Sequence, residues 1–84
     1  MIEVNGVYFP FEDFFQKFSA DIYSFGQTTR DEALKCVKNY RTVIDIGAHI
    51  GISVNCWAPL FEKVIAFEPM VDHYACLLKN TAGF

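Results

Sequence analysis

Hydrophobic and polar positions in this chain change period several times, and each change marks an element. Ile2-Glu3-Val4 and Val7-Tyr8-Phe9 are short β-type runs on either side of Asn5-Gly6. Both residues of that dipeptide tolerate positive φ, so the pattern predicts a tight hairpin. Pro10 then pre-sets a helix start. Phe11, Phe14, Phe15 and Phe18 recur at helical spacing, with Glu12 and Asp13 near the start and Lys17 near the end, where each suits the helix dipole. An amphipathic helix with an aromatic face follows. From 19 to 27 the run SADIYSFGQ keeps no period and reads as a connecting loop, whose Tyr23 and Phe25 either cover the core or fold over a ligand. Thr28 with Asp31 and Thr29 with Glu32 offer capping boxes for a helix reaching about Asn39 and burying Ala33, Leu34 and Val37.

The second half has a different rhythm. Thr42 to Ile46 (TVIDI) and Lys63 to Phe67 (KVIAF) carry the β-branched and apolar density of strands buried on both faces. Between them, Ile50, Val54, Trp57 and Phe61 hold helical spacing, and Pro59 ends or kinks that helix near Ala58. Ser53 and Asn55 fall on its solvated side. Val71, Tyr74, Leu77 and Leu78 mark a last helix running to about Thr81, before Gly83. Two such strands joined through a helix are expected to pair in parallel by a right-handed crossover. The fold class is therefore α/β: a Rossmann-like βαβ unit over 42–84, preceded over 1–41 by a small β-hairpin and helices, the whole forming one compact domain.

Candidate chemistry gathers where the first of these strands turns into its helix. Asp45 stands two residues before Gly47, and Gly51 follows four residues later. Gly47 lets the backbone turn or run close to a bound group, and Gly51 lets the next helix approach without a Cβ in the way. Glu68 ends the second strand, roughly 20 residues beyond Gly47, the interval at which nucleotide-binding βαβ units place an acid on the ribose hydroxyls. An acid at a strand end is expected to serve the ligand more than the fold. Dinucleotide fingerprints have glycines at relative positions one, three and six; here they fall at one and five, with His49 in the middle position. That spacing favours S-adenosylmethionine over NAD, and Asp45 suits the ammonium at the methionine end of that cofactor.

The string DIGAHIG, followed after the next strand by FEP, resembles the motifs of the FkbM-type family of S-adenosylmethionine-dependent methyltransferases. The likeness runs from Thr42 to about Asn80, close to half of the chain. It implies a cofactor site built from Asp45, Gly47, Ala48, His49, Gly51, Glu68, Pro69 and Met70, with the residues after Glu68-Pro69 beside the adenine. It also implies O-methylation of a small molecule or sugar. Met70 and Val71 stand where that family often has a polar residue, so adenine-side polar contacts are not expected from them.

Size then restricts the reading. A methyltransferase of the resembled class has a seven-stranded sheet, whereas 84 residues make one small domain with one helix's worth of sequence after Glu68. The expectation is a cofactor-binding portion whose acceptor site and catalytic residues lie elsewhere. A non-catalytic cofactor-binding or assembly module is the alternative, and a dinucleotide-binding fragment stands third. Hydrophobic residues make up 52%, including nine Phe, so self-association or further sequence is expected to cover part of the apolar surface. A net charge of −3 without a basic run argues against nucleic acid. No apolar run approaches membrane-spanning length, and a cytoplasmic setting is the default. Cys36, Cys56 and Cys76 lack metal-type spacing and read as reduced thiols. His49 and His73 add no metal site and are given no catalytic role.

Overall fold

Asn5 and Gly6 both take positive φ, 52° and 82°, and bring β1 (Ile2–Val4) and β2 (Val7–Phe9) together as an antiparallel pair in which Val4 faces Val7 and Ile2 faces Phe9. A two-residue turn of this hand matches the twist of its strands. The computed structural model describes residues 1–11 and 21–84, so the aromatic-faced helix expected after Pro10 lies outside the described residues.

A 3₁₀ turn at 21–24 leads into α1 (Gln27–Leu34). Its N-cap is Gly26 in the left-handed region, with no side-chain cap, so neither expected capping box forms. The helix also stops about five residues early. Lys35, Cys36 and Val37 donate to Glu32, Ala33 and Leu34, three residues back, and this tighter winding closes the helix. Leu34 and Val37 are half-buried and Ala33 is exposed; the buried residue of α1 is Arg30, at 7% exposure.

β3 (Thr42–Ile46) and β4 (Lys63–Phe67) pair in parallel, with Thr42 opposite Lys63 and Ile46 opposite Phe67, and α2 (Ile52–Trp57) joins them. Ala58 caps α2 just before Pro59, as the sequence pattern predicts. α3 (Val71–Asn80) closes the described chain. The result is a small mixed α/β structure of two two-stranded sheets and three helices among the described residues.

The core has two parts. Val7, Phe9, Ile22, Ile50, Ile52 and Cys76 form one cluster, which joins the hairpin to the second half of the chain. Ala48, Val54 and Leu77 form the other, against Val64 and Ala66 of β4. Asn80 locks the first cluster: its amide oxygen accepts the Tyr8 N–H at 2.8 Å, and its amide nitrogen donates to the Tyr8 and Ile50 carbonyls at 3.0 and 2.8 Å.

Only one face of the parallel pair is covered by these clusters, which corrects the expectation of strands buried on both faces. Ile44 is 58% exposed, Ile46 82% and Phe67 55%. Side chains alternate along a strand, and α2 and α3 pack on the side carrying Val64 and Ala66. The expected apolar face of α3 is likewise mostly outside: Leu77 is buried, but Val71, Tyr74 and Leu78 are exposed, because the hairpin and Gly51 engage the side carrying Cys76, Leu77 and Asn80.

Candidate functional site

The turn after β3 is held by backbone. Gly47 and Ala48 both donate to the Phe67 carbonyl, at 2.9 and 3.0 Å, and Gly51 donates to Ala48 at 3.0 Å. The path takes positive φ at three alternate residues, 77° at Gly47, 54° at His49 and 95° at Gly51. The two glycines do different work. A Cβ on Gly47 meets nothing within 4 Å, so this position faces open space. A Cβ on Gly51 would lie 2.9 Å from Leu77 Cδ1 and 3.1 Å from Thr81 Cγ2, so any larger residue here forces those side chains to shift. The sequence predicts that the next helix, α2, makes the close approach at Gly51; instead Gly51 caps α2, and α3 is the helix that approaches.

Glu68 ties this turn to the loop after β4. One carboxylate oxygen accepts the His49 N–H at 2.8 Å and the other accepts the Met70 N–H at 3.0 Å, with the side chain only 6% exposed. His73 Nδ1 lies 3.8 Å from the second oxygen, and the His49 and His73 rings lie against each other, tilted by 46°, with centroids 4.1 Å apart. The Met70 N–H, then the His49 N–H and the two imidazoles, hold the Glu68 carboxyl below its ordinary range against the opposing effect of burial. Glu68 therefore serves the fold as well as any ligand. Its two oxygens have lone pairs beyond those already engaged, so it keeps the capacity to accept from a diol.

Asp45 is in the opposite condition. Its Oδ2 is buried without a hydrogen-bond partner, and burial raises the carboxyl above its ordinary range, with the Arg30 charge pulling the other way. Asp45, Gly47, Ala48 and His49 line a cleft of about 660 Å³, a volume in the range of small-molecule sites. Phe25, Arg30, Ser53, Trp57 and Phe61 complete much of its wall. Of the other expected site residues, Gly51 lies under α3 and Glu68 reaches the cleft wall through the His49 N–H, while Pro69 and Met70 are exposed and stand outside the cleft.

Sequence reasoning missed Arg30 altogether. It looks like one more charge in a polar helix start, yet its guanidinium is drawn inward. Nη1 donates to the Phe25 carbonyl at 2.7 Å and to Ser53 Oγ at 3.3 Å, and Nη2 donates to the Tyr23 carbonyl at 2.7 Å. Ser53 thus belongs to the cleft. Asn55, also read as solvated, donates to the Asn80 carbonyl and to the Tyr23 hydroxyl. No periodic or motif signal marks these residues, because their partners are up to 32 positions away. Of the two aromatic loop residues, Phe25 lines the cleft and Tyr23 is tied to α2.

Among the described residues no group of three or more His, Cys, Asp or Glu is arranged to hold a metal ion, and no helix is long and apolar enough to cross a membrane. Comparisons with protein-family models, with curated proteins and with solved structures find nothing that matches this chain.

Proposed function

We propose that this chain is the S-adenosylmethionine-binding, Rossmann-like portion of a methyltransferase similar to the FkbM type, acting on a hydroxyl of a small molecule or sugar. The observation that carries the reading is the buried, partnerless Oδ2 of Asp45 beside the open side of Gly47, in the wall of a ligand-sized cleft. A buried carboxylate without a partner is costly, and a cationic group in the cleft removes that cost. The amino-acid end of S-adenosylmethionine supplies an ammonium, and Phe25, Trp57 and Phe61 supply aromatic surface that also suits a cation.

The chain's own residues would bind and orient. Asp45 accepts from the ammonium, the glycine turn admits the ligand backbone, and Glu68 has lone pairs for ribose hydroxyls. When bound, the cofactor brings an already activated methyl group, so transfer depends mainly on alignment with the acceptor. No residue of this chain is assigned as a general base. A reducing, cytoplasmic setting, in which Cys36, Cys56 and Cys76 stay as thiols, is part of the proposal.

Calorimetric titration of the chain with S-adenosylmethionine, its demethylated product and NAD tests the proposal. Tighter binding of either of the first two supports it, and tighter binding of NAD overturns it.

A second reading, an assembly module without turnover, is favoured by the uncovered sheet face. Ile44, Ile46 and Phe67 form exposed apolar surface on strands that each pair on one side only among the described residues. Sedimentation over a range of concentrations separates the two. Self-association without ligand binding favours the module.

A further inference from the structure

Arg30 and Asp45 are opposite charges in the wall of one cleft, and they are not paired with each other. No ion pair of 4.0 Å or less joins them, and the hydrogen bonds of the Arg30 guanidinium go to two carbonyls and one hydroxyl, all uncharged. A fold selecting for stability alone would close such a pair or replace both groups by apolar ones. Keeping two charges apart at a cleft suits a ligand that itself carries both signs. Arginine adds a second requirement, since its planar fork of N–H donors matches a carboxylate with two parallel bonds, which a point charge does not.

We propose that Arg30 and Asp45 together recognise the zwitterionic α-amino-acid end of the ligand, Arg30 donating to its carboxylate and Asp45 accepting from its ammonium. Ser53 Oγ, 3.3 Å from Nη1, lies beside the same donors and limits the swing of the guanidinium. The inference rests on the cofactor reading above and extends it by assigning the residue that selects for a carboxylate. In this arrangement Arg30 also anchors the 23–25 segment, so it positions the Phe25 wall of the cleft while offering its fork to the ligand.

The test compares S-adenosylmethionine with its decarboxylated analogue, which keeps the ammonium and the sulfonium, by calorimetry on the full chain. The unaltered chain is expected to bind the intact cofactor at least tenfold more tightly. Arg30→Gln should weaken the intact cofactor by at least tenfold while leaving the analogue within about twofold, so that the preference disappears. Arg30→Lys, which retains charge without the fork, should keep only part of it. Asp45→Asn should weaken both ligands alike and leave their ratio unchanged. A general loosening of the cleft from losing the Phe25 and Tyr23 bonds would lower both affinities together, so the ratio separates recognition from support.

Equal binding of the two ligands by the unaltered chain overturns the inference alone, and needs no variant to fold. An unchanged ratio in Arg30→Gln does the same. Failure of the unaltered chain to bind either ligand overturns the cofactor reading, and this inference with it.

Discussion

The carboxyl ends of the two parallel strands carry one acid each, and the fold treats them in opposite ways. Glu68, just past β4, has each oxygen filled by a backbone N–H and its proton affinity lowered. Asp45, the next-to-last residue of β3, has a buried oxygen with no partner and its proton affinity raised. The same residue class at neighbouring strand ends is thus a structural clamp in one place and a source of local instability in the other. On the proposed reading the difference marks Asp45 as the acid that a ligand would complete. Carboxylates completed by their own chain add stability, whereas one left incomplete at a cleft has a reason to persist only if a ligand completes it.

The strongest way to break this contrast is to remove the clamp. Glu68→Ala deletes two charge-assisted hydrogen bonds that join the glycine turn to the loop before α3, and leaves the His49 and Met70 N–H groups to find water. A loss of about 2 to 3 kcal/mol in urea unfolding is expected. A variant as stable as the parent would show that the two loops hold their places without the carboxylate, and the contrast between the acids would fail on its structural side.

Next in size is the glycine pair of the turn after β3. Gly51→Ala places a Cβ against Leu77 and Thr81 and imposes φ of 95° on an L-residue, so about 2 kcal/mol of destabilisation is expected. Gly47→Ala carries backbone strain alone, since its Cβ enters open space, and about 1 kcal/mol is expected. On the proposed reading Gly47→Ala should nonetheless weaken cofactor binding more than Gly51→Ala does, because the added Cβ would enter the open space assigned to the cofactor. Thermal unfolding and calorimetry on both variants give the two rankings, and identical order in both would remove the distinction between packing glycine and site glycine.

These particulars also show what the sequence makes legible. The hairpin, the parallel pairing of 42–46 with 63–67 and the stop of α2 before Pro59 are local, because turn chemistry, β-branched density and a missing N–H act within a few residues. Asp45, Gly47 and Glu68 were found by spacing alone. What escaped depends on distant partners. α1 ends early and turns Arg30 inward, toward carbonyls that a preceding 3₁₀ turn presents. α3 engages through Cys76 and Asn80 because the hairpin, more than 70 residues earlier in sequence, lies against it. Apolar spacing finds a helix well, but it does not say which of two neighbouring faces has something to pack on.

Asp45→Asn sharpens the comparison from the other side. Replacing the ionised carboxylate by a neutral amide of the same shape relieves a buried charge, so the variant should be more stable than the parent by about 1 kcal/mol at neutral pH while binding S-adenosylmethionine less tightly. Stability and affinity are expected to move in opposite directions, in contrast to Glu68→Ala. A loss of stability would mean that the carboxylate is completed in the free protein, and would remove the observation on which the cofactor reading depends.

The smallest effect is the dependence on acid, where the two groups should oppose each other. The Glu68 carboxyl is held below its ordinary value of 4.5, so the stabilisation it provides is complete above that value and is lost as pH falls through its lower folded value. The Asp45 carboxyl is held above 3.8, so its ionisation penalises the fold increasingly as pH rises from 3.8 and fully above its folded value; acidification through that range recovers stability. Around the two ordinary values, 3.8 and 4.5, the two contributions therefore run in opposite directions and partly cancel. Removing one should expose the other. Asp45→Asn should lose stability more steeply than the parent on acidification, and Glu68→Gln less steeply. Unfolding measured at half-unit intervals of pH checks the signs, and equal slopes in the two variants would show that the acids share one environment after all.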